Sequence, residues 1–144
     1  MVALGDAFTF RVRGSHLWVV VSRPIGTLGE FVMVNLTTLT ENTPDASCVL
    51  EPRDYPSFIR HPTCVRYIDA RRWSALGENG FDQLLAAGGI HRMARFSDAV
   101  LLRIQEGALN SDFLEGAFEP LIRNSLIVIP PTWERWPPPV PDRP

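Results

Sequence analysis

Residues 47–72 concentrate side chains that can titrate, hold a metal ion or bind an anion. They comprise thiols, phenols, an imidazole, a carboxylate and guanidinium groups: Cys48, Asp54, Tyr55, Arg60, His61, Cys64, Arg66 and Tyr67. Prolines at positions 52, 56 and 62 interrupt the stretch, so it cannot form one regular helix or a central strand. Polar groups on an irregular segment that follows apolar strands are typical of a functional loop. We therefore expect acid–base or anion-binding chemistry in this part of the chain.

The overall charge of the chain does not favour the binding of anions at such a site. The chain has 144 residues and a formal net charge of −2, which predicts one domain without a general attraction to nucleic acid or to an anionic membrane. Every basic residue is arginine, because the sequence contains no lysine. Any anion site would therefore be built from planar guanidinium groups, which bind phosphate or carboxylate through paired hydrogen bonds.

The elements that must position these groups are mostly strands. Alternating or β-branched apolar residues predict strands at 7–12, 17–22 and 30–39, which would form an antiparallel meander. Shorter strands are expected at 48–50 and 90–95, and the alternation over 64–70 predicts an edge strand. The spacing of apolar residues in 71–89 favours one or two short helical turns.

The C-terminal part of the chain has a helical pattern followed by a proline-rich tail. Ser97 is a predicted N-cap for a helix over 98–109, and a second helical piece is expected over 112–123, where Pro120 limits or kinks it. Residues 1–125 would form the domain and 126–144 a tail. Seven of the thirteen prolines follow residue 129, which favours polyproline II. The tail is either solvated or docks Trp133 and Trp136 onto the domain or a partner.

The two cysteines leave metal chemistry as a minor alternative. Cys48 and Cys64 are too few for a disulfide framework. His61 and Cys64 have a spacing that zinc ligands use, with Cys48 and His16 as further ligands, but the paired cysteine knuckles of structural zinc sites are absent. Buried structural cysteines, no metal and no cofactor are expected. The N-terminus lacks a basic leader, and no apolar run approaches the ~20 residues of a membrane span, so a cytoplasmic protein is expected.

The order of the predicted elements resembles the PemK/MazF-like toxin superfamily. The resembling parts are Gly5-Asp6 before the first strand, LWVVVS, VMVNLTT, VRYIDARRWS and the helix DAVLLRIQEGAL. They cover roughly residues 4–110 as a pattern and an order, without a diagnostic motif. The chain departs from the family at Arg13-Gly14-Ser15-His16, where members usually have an Arg-Pro pair, and in the proline-rich loop 51–62.

The resemblance implies a fold, an activity and partners. The expected fold is mainly β (α+β), a small SH3-like β-barrel with one or two C-terminal helices. Family members are typically metal-independent endoribonucleases that cleave single-stranded RNA, form homodimers and are neutralised by an antitoxin protein. These properties are expectations from the resemblance alone.

Metal-free RNA cleavage needs a base for the 2′-hydroxyl, a cation for the phosphorane and an acid for the leaving oxygen. The side chains that could move protons or supply the cation are His16, His61, Arg60 and Arg13. Side chains that could bind the substrate or orient a histidine are Thr37, Thr38, Asp54 and Arg66. The two threonines match the family's strand-end position. Each residue also has a purely structural alternative, such as a turn cap for His16 or ordinary strand packing for Thr37 and Thr38.

Together with these residues, the resemblance implies a toxin-like endoribonuclease whose groove is lined by the 13–16 turn, the 37–41 strand end and the 51–62 loop. A non-catalytic module of the same fold that binds RNA or protein is the alternative, and the acidic net charge favours it. A third hypothesis makes the Pro/Trp tail the functional part, as a ligand for an aromatic-lined groove.

Overall fold

Six strands form one antiparallel sheet in the computed structural model, which describes residues 1–11 and 15–130. The strands are β1 (Ala7–Phe10), β2 (Trp18–Val20), β3 (Glu30–Thr38), β4 (Val49–Leu50), β5 (Thr63–Ser74) and β6 (Ile90–Met93). Their order across the sheet is β4-β5-β3-β2-β1-β6. The predicted meander of β1, β2 and β3 is confirmed, and so are the short strands β4 and β6.

The prediction for residues 64–74 was wrong in two respects. β5 is an interior strand, since it pairs with β3 on one side and with β4 on the other. It also continues through 71–74, where helical turns were expected. The register with β3 shifts between Met33 and Asn35, so the extra residues of β5 form a bulge. This irregularity breaks the alternation on which the prediction relied.

Apolar clusters cover both faces of the sheet. On one face, Val19, Val34 and Val65 pack against Leu101 and Ile104. On the other face, Phe8, Phe31 and Met33 pack against Phe81, which lies in the short helix α1 (Phe81–Ala86). The centre of the sheet is therefore buried on both sides, which explains the continuous apolar run of β2. A rigid sheet of this kind can hold polar residues at the ends of its strands.

The C-terminal helices are α2 (Asp98–Asn110) and α3 (Glu119–Arg123). The prediction of α2 is confirmed, and Ser97 caps it by accepting a hydrogen bond from the Val100 N–H at 3.3 Å. The single helical piece expected over 112–123 was wrong. That segment contains a 3₁₀ turn, Gly116–Phe118, and then α3. Pro120 lies in the first turn of α3, where its missing N–H costs nothing.

The fold class is α+β and mainly β, as predicted. Closure into an SH3-like barrel is not seen in residues 1–11 and 15–130, where β4 and β6 are the two ends of the sheet. No helix in this described part is long and apolar enough to cross a membrane. The division at residue 125 stays a prediction, because Trp133, Trp136 and the rest of 131–144 lie outside the described residues.

Candidate functional site

A solvent-open cleft of about 240 Å³ lies at the end of β3, and we call it the histidine cleft. Its polar lining includes Ser15, His16, Thr37, Thr38, Arg60 and His61, and Phe58 and Ile59 supply apolar surface. Residues from three separate stretches of the chain therefore meet here. Five of the side chains that the sequence nominated lie in this lining: His16, Thr37, Thr38, Arg60 and His61.

His16 is held against the backbone of β3. Its Nδ1 lies 3.1 Å from the Leu36 carbonyl oxygen. A carbonyl only accepts hydrogen bonds, so Nδ1 carries the proton of the neutral ring. The adjacent Leu36 N–H donates to the Leu17 carbonyl at 3.0 Å, which ties the start of β2 to β3. The remaining nitrogen, Nε2, is left with a free lone pair, as a general base requires.

His61 is held at the end of the same strand. Its Nε2 lies 3.0 Å from the Thr38 hydroxyl oxygen, and Thr38 pairs with Thr63 in the β3–β5 ladder. The Leu39 N–H donates to the Pro62 carbonyl at 3.0 Å. Pro62 restricts the backbone of His61 to extended conformations. His16 and His61 thus belong to different chain segments, and a hydrogen bond holds each imidazole beside the C-terminal part of β3. Both side chains are exposed to solvent.

Arg60 supplies the positive charge of the cleft. Its guanidinium donates to the Pro56 carbonyl, which uses one of its N–H donors and leaves the others for a ligand. Within the part of the chain that the structure describes, Arg60 forms no ion pair with a carboxylate. An exposed guanidinium beside two imidazoles is suited to a phosphate group.

Asp54 lies outside the histidine cleft. Its carboxylate accepts a hydrogen bond from the Glu51 N–H at 2.7 Å and another from the Arg103 guanidinium at 2.9 Å. Burial alone would raise the pKa of Asp54, but these two partners outweigh burial and lower it below the usual value. The expected role of orienting a histidine has no support in this geometry, since these hydrogen bonds join the loop to α2.

Arg66 also lies outside the histidine cleft. Arg66 pairs with Asp69 at 3.1 Å and lines a neighbouring hollow that shares Thr37 and Thr38 with the histidine cleft. Arg13, nominated as an alternative cation, lies outside the described residues. Of the two nominated arginines that the structure describes, Arg60 is the one that lines the cleft with the histidines.

Neither cysteine contributes to the cleft. Cys48 and Cys64 are free thiols and buried, and burial raises the pKa of both. Among the described residues, no group of three or more His, Cys, Asp and Glu side chains is arranged to hold a metal ion. The zinc alternative with His61 and Cys64 therefore gains no support from the geometry.

The sequence reasoning missed three contributors to the site. The Leu36 carbonyl orients His16, Ser15 accepts a hydrogen bond from the Phe10 N–H at 2.9 Å, and Phe58 forms part of the wall. A backbone carbonyl has no signature in the sequence. Phe58 lies within the nominated loop, and its apolar character there was the available signal.

Comparisons of the chain with protein-family models, with curated proteins and with solved structures gave no match. The resemblance to toxin-like ribonucleases therefore rests on the pattern and order of the elements, and the function must be argued from the cleft.

Proposed function

We propose that this protein is a metal-independent endoribonuclease that cleaves single-stranded RNA in the histidine cleft. The observation that carries the proposal is that His16, His61 and Arg60 line one solvent-open cleft. Two imidazoles and a cation are the groups that phosphodiester cleavage by an internal 2′-hydroxyl needs. The threonine hydroxyls at the strand end add donors for a phosphate oxygen.

The arrangement suggests a role for each group. His16 Nε2 takes the proton of the 2′-hydroxyl, whose oxygen attacks the adjacent phosphorus. The Arg60 guanidinium stabilises the negative charge that develops on the phosphorane oxygens. Protonated His61 gives its proton to the departing 5′-oxygen as the P–O5′ bond breaks. The products are a 2′,3′-cyclic phosphate and a 5′-hydroxyl, so this step consumes no water.

The assignment of base to His16 follows from its hydrogen bond. The Leu36 carbonyl fixes the proton on Nδ1, which leaves Nε2 as the acceptor. His61 Nε2 meets a threonine hydroxyl, which can accept a hydrogen bond from the protonated ring. The second ring is therefore compatible with the acid form that the leaving oxygen requires.

The biological setting belongs to the same proposal. A cytoplasmic, homodimeric toxin neutralised by an antitoxin protein, with a sheet related to the SH3-like barrel, is what the resemblance implies. The order of β1, β2, β3 and α2 is compatible with that kinship, and the six-stranded sheet supplies a strand end on which the cleft can form.

A non-catalytic RNA-binding module is the second candidate. Its support is the exposure of His16, Arg60 and His61 to solvent, since closure of an active site usually excludes water from the reacting groups. In such a module, His16, His61 and Arg60 would bind phosphate without cleaving it.

Incubation of purified protein with a mixed RNA pool in the presence of a metal chelator tests the proposal. The expected products are fragments with 2′,3′-cyclic phosphate ends. His61→Ala should lower the cleavage rate by about 10²- to 10⁴-fold, the usual contribution of a general acid or base. His91→Ala is the matched control, because His91 is an exposed histidine on β6 outside the cleft.

Intact RNA with the wild-type protein would overturn the ribonuclease. If RNA then still bound with an affinity that falls steeply with salt, the binding module would be favoured. Equal loss of activity in His61→Ala and His91→Ala would place the reaction elsewhere.

A further inference from the structure

The hollow beside the histidine cleft combines an aromatic ring with polar groups, and we call it the Phe113 pocket. Its volume is about 280 Å³, and the residues used below are Thr37, Thr38, Asn42, Asp45, Arg66 and Phe113. Thr37 and Thr38 line both hollows. The volume suits one ring system better than a drug-sized ligand. A ligand that spans both hollows would pass over the end of β3.

The apolar side of the pocket is exposed to solvent. Phe113 is 39% exposed and Ile68, from the bulged part of β5, is 59% exposed. Large apolar side chains that meet water in a concave site are suited to contact a flat ring by stacking. The surface has no obvious role in packing the core, since neither residue belongs to the buried clusters.

Hydrogen bonds preform the pocket. The Phe113 N–H donates to the Ser111 hydroxyl at 3.0 Å, and that hydroxyl donates to the Asp45 carboxylate at 2.6 Å. The Ser47 N–H donates to the other Asp45 oxygen at 3.0 Å. The segment that carries the ring is thus tied to the loop that carries Asp45. The pocket is therefore ordered before a ligand binds. Binding would lose little conformational entropy, which favours affinity.

The polar side of the pocket discriminates between ligands. Burial alone would raise the pKa of Asp45, but hydrogen bonds from Ser111 and Ser47 outweigh it and lower the pKa. The carboxylate is therefore ionised near neutral pH, accepts hydrogen bonds and repels phosphate. Asn42 offers an amide that both donates and accepts. Arg66 is 45% exposed at the rim and can meet the sugar–phosphate chain.

We propose that the Phe113 pocket binds one unpaired nucleobase of the RNA, with a preference for bases that carry an exocyclic amino group. The base stacks on Phe113, and its amino group donates to Asp45 or Asn42. Adenine, cytosine and guanine have this group, whereas uracil lacks it. The inference rests on the proposed function for the placement of the neighbouring phosphate in the histidine cleft, which would make the pocket a specificity site for cleavage.

Binding of non-cleavable RNA tests the pocket separately from catalysis. The probes are 2′-O-methyl trinucleotides of adenine, cytosine or uracil, titrated into the full chain at low salt by calorimetry. We expect the adenine and cytosine probes to bind more tightly than the uracil probe. Phe113→Leu keeps apolar area but loses the ring face, so its affinity should fall about 5- to 100-fold, the usual range for one stacked base. Phe113→Tyr should bind within about twofold of the wild type, because its ring still stacks.

Ile25→Ala is the matched control, since Ile25 is 49% exposed and lies outside the pocket. Absence of binding, or equal affinity in Phe113→Leu and wild type, would overturn the pocket. Equal affinity for the uracil probe would overturn the amino-group preference. Binding that follows the expected order with no cleavage of ordinary RNA would support the pocket and refute the ribonuclease. Cleavage with an unchanged base preference in Phe113→Leu would refute the pocket and leave the ribonuclease standing.

Discussion

Two neighbouring parts of the proline-rich loop have similar compositions but different surroundings. Residues 51–55, which we call the Asp54 corner, pack against α2 and the segment that precedes it. Asp54 binds Arg103, and the buried ring of Tyr55 stacks on Phe96 with its hydroxyl donating to the Ala94 carbonyl. Residues 58–63, which we call the His61 segment, turn Arg60 and His61 toward solvent.

The comparison shows how existing partners separate structural from functional polar groups. In the Asp54 corner the Asp54 carboxylate and the Tyr55 hydroxyl are already bonded to the protein, so forming the fold consumes their capacity. In the His61 segment, Arg60 and His61 each use one bond to the chain and keep others free. Function is therefore expected in the second part, and stability in the first.

The largest expected effect concerns the two arginines. Arg60→Met should lower RNA cleavage by about 10²- to 10³-fold, as for removal of one group that stabilises transition-state charge, and leave the free energy of unfolding within about 0.5 kcal/mol of wild type. Arg103→Met should lower the free energy of unfolding and leave RNA cleavage close to the wild-type rate. Single-turnover cleavage and urea unfolding measure both properties. Parallel loss of activity and stability in Arg60→Met would erase the distinction between the two parts.

Removal of the carboxylate from the Asp54 corner should destabilise the fold. Asp54→Ala leaves the Glu51 N–H and the Arg103 guanidinium without this partner, so we expect a loss of about 2 kcal/mol. The measurement is urea unfolding at neutral pH. Glu41→Ala, at an exposed carboxylate, serves as the control. A loss no larger than that of the control would show that the corner contributes nothing to stability.

The contribution of Asp54 should also depend on pH. Its pKa is lowered in the folded state, so its stabilisation is fully present above the usual carboxyl range of about pH 4 and is lost as the pH falls through the lowered pKa. The difference in unfolding free energy between wild type and Asp54→Asn should therefore shrink between about pH 5 and pH 3. A difference that stays constant or grows over this range would contradict the assignment.

The smallest effect is expected for the phenol of the same corner. Tyr55→Phe keeps the ring against Phe96 but removes the donor to the Ala94 carbonyl, which should cost about 1 kcal/mol. Phe58→Leu, in the wall of the histidine cleft, should change stability less, because Phe58 is 40% exposed. Thermal unfolding measures the loss of stability in the two variants. A larger loss in Phe58→Leu than in Tyr55→Phe would refute the comparison at this position.

Much of the fold was predictable because local patterns carry it. The alternation of β1, the apolar run of β2 and the Ser97 cap of α2 each depend on neighbours in the chain. β5 was misjudged because its bulge changes the alternation, and its pairing on both sides depends on β3 and β4. The 3₁₀ turn before α3 was missed because Pro120 was expected to limit or kink a helix, whereas here it lies in the first turn of one.

The residue types of the site were predictable from the sequence, but only some of the individual residues that form it were. Within one loop, nothing in the local sequence separates Asp54, which binds Arg103, from Arg60, which stays free for a ligand. Arg66 was nominated for the same groove as His61, but the bulged strand carries it to the neighbouring hollow. The proton position on His16 depends on a backbone carbonyl that no side-chain pattern reveals.

The sequence by itself determined that the chain is α+β and that its strands carry polar groups at their ends, and it predicted that arginine and histidine would supply any chemistry. Composition and short-range periodicity contain this information, because burial and backbone conformation follow from neighbouring residues. The tertiary structure alone decided that His16, His61 and Arg60 share one cleft while Asp54 is bonded to α2. Such groupings depend on strand pairing and helix packing between distant parts of the chain, which set the partners that remain available to each polar group.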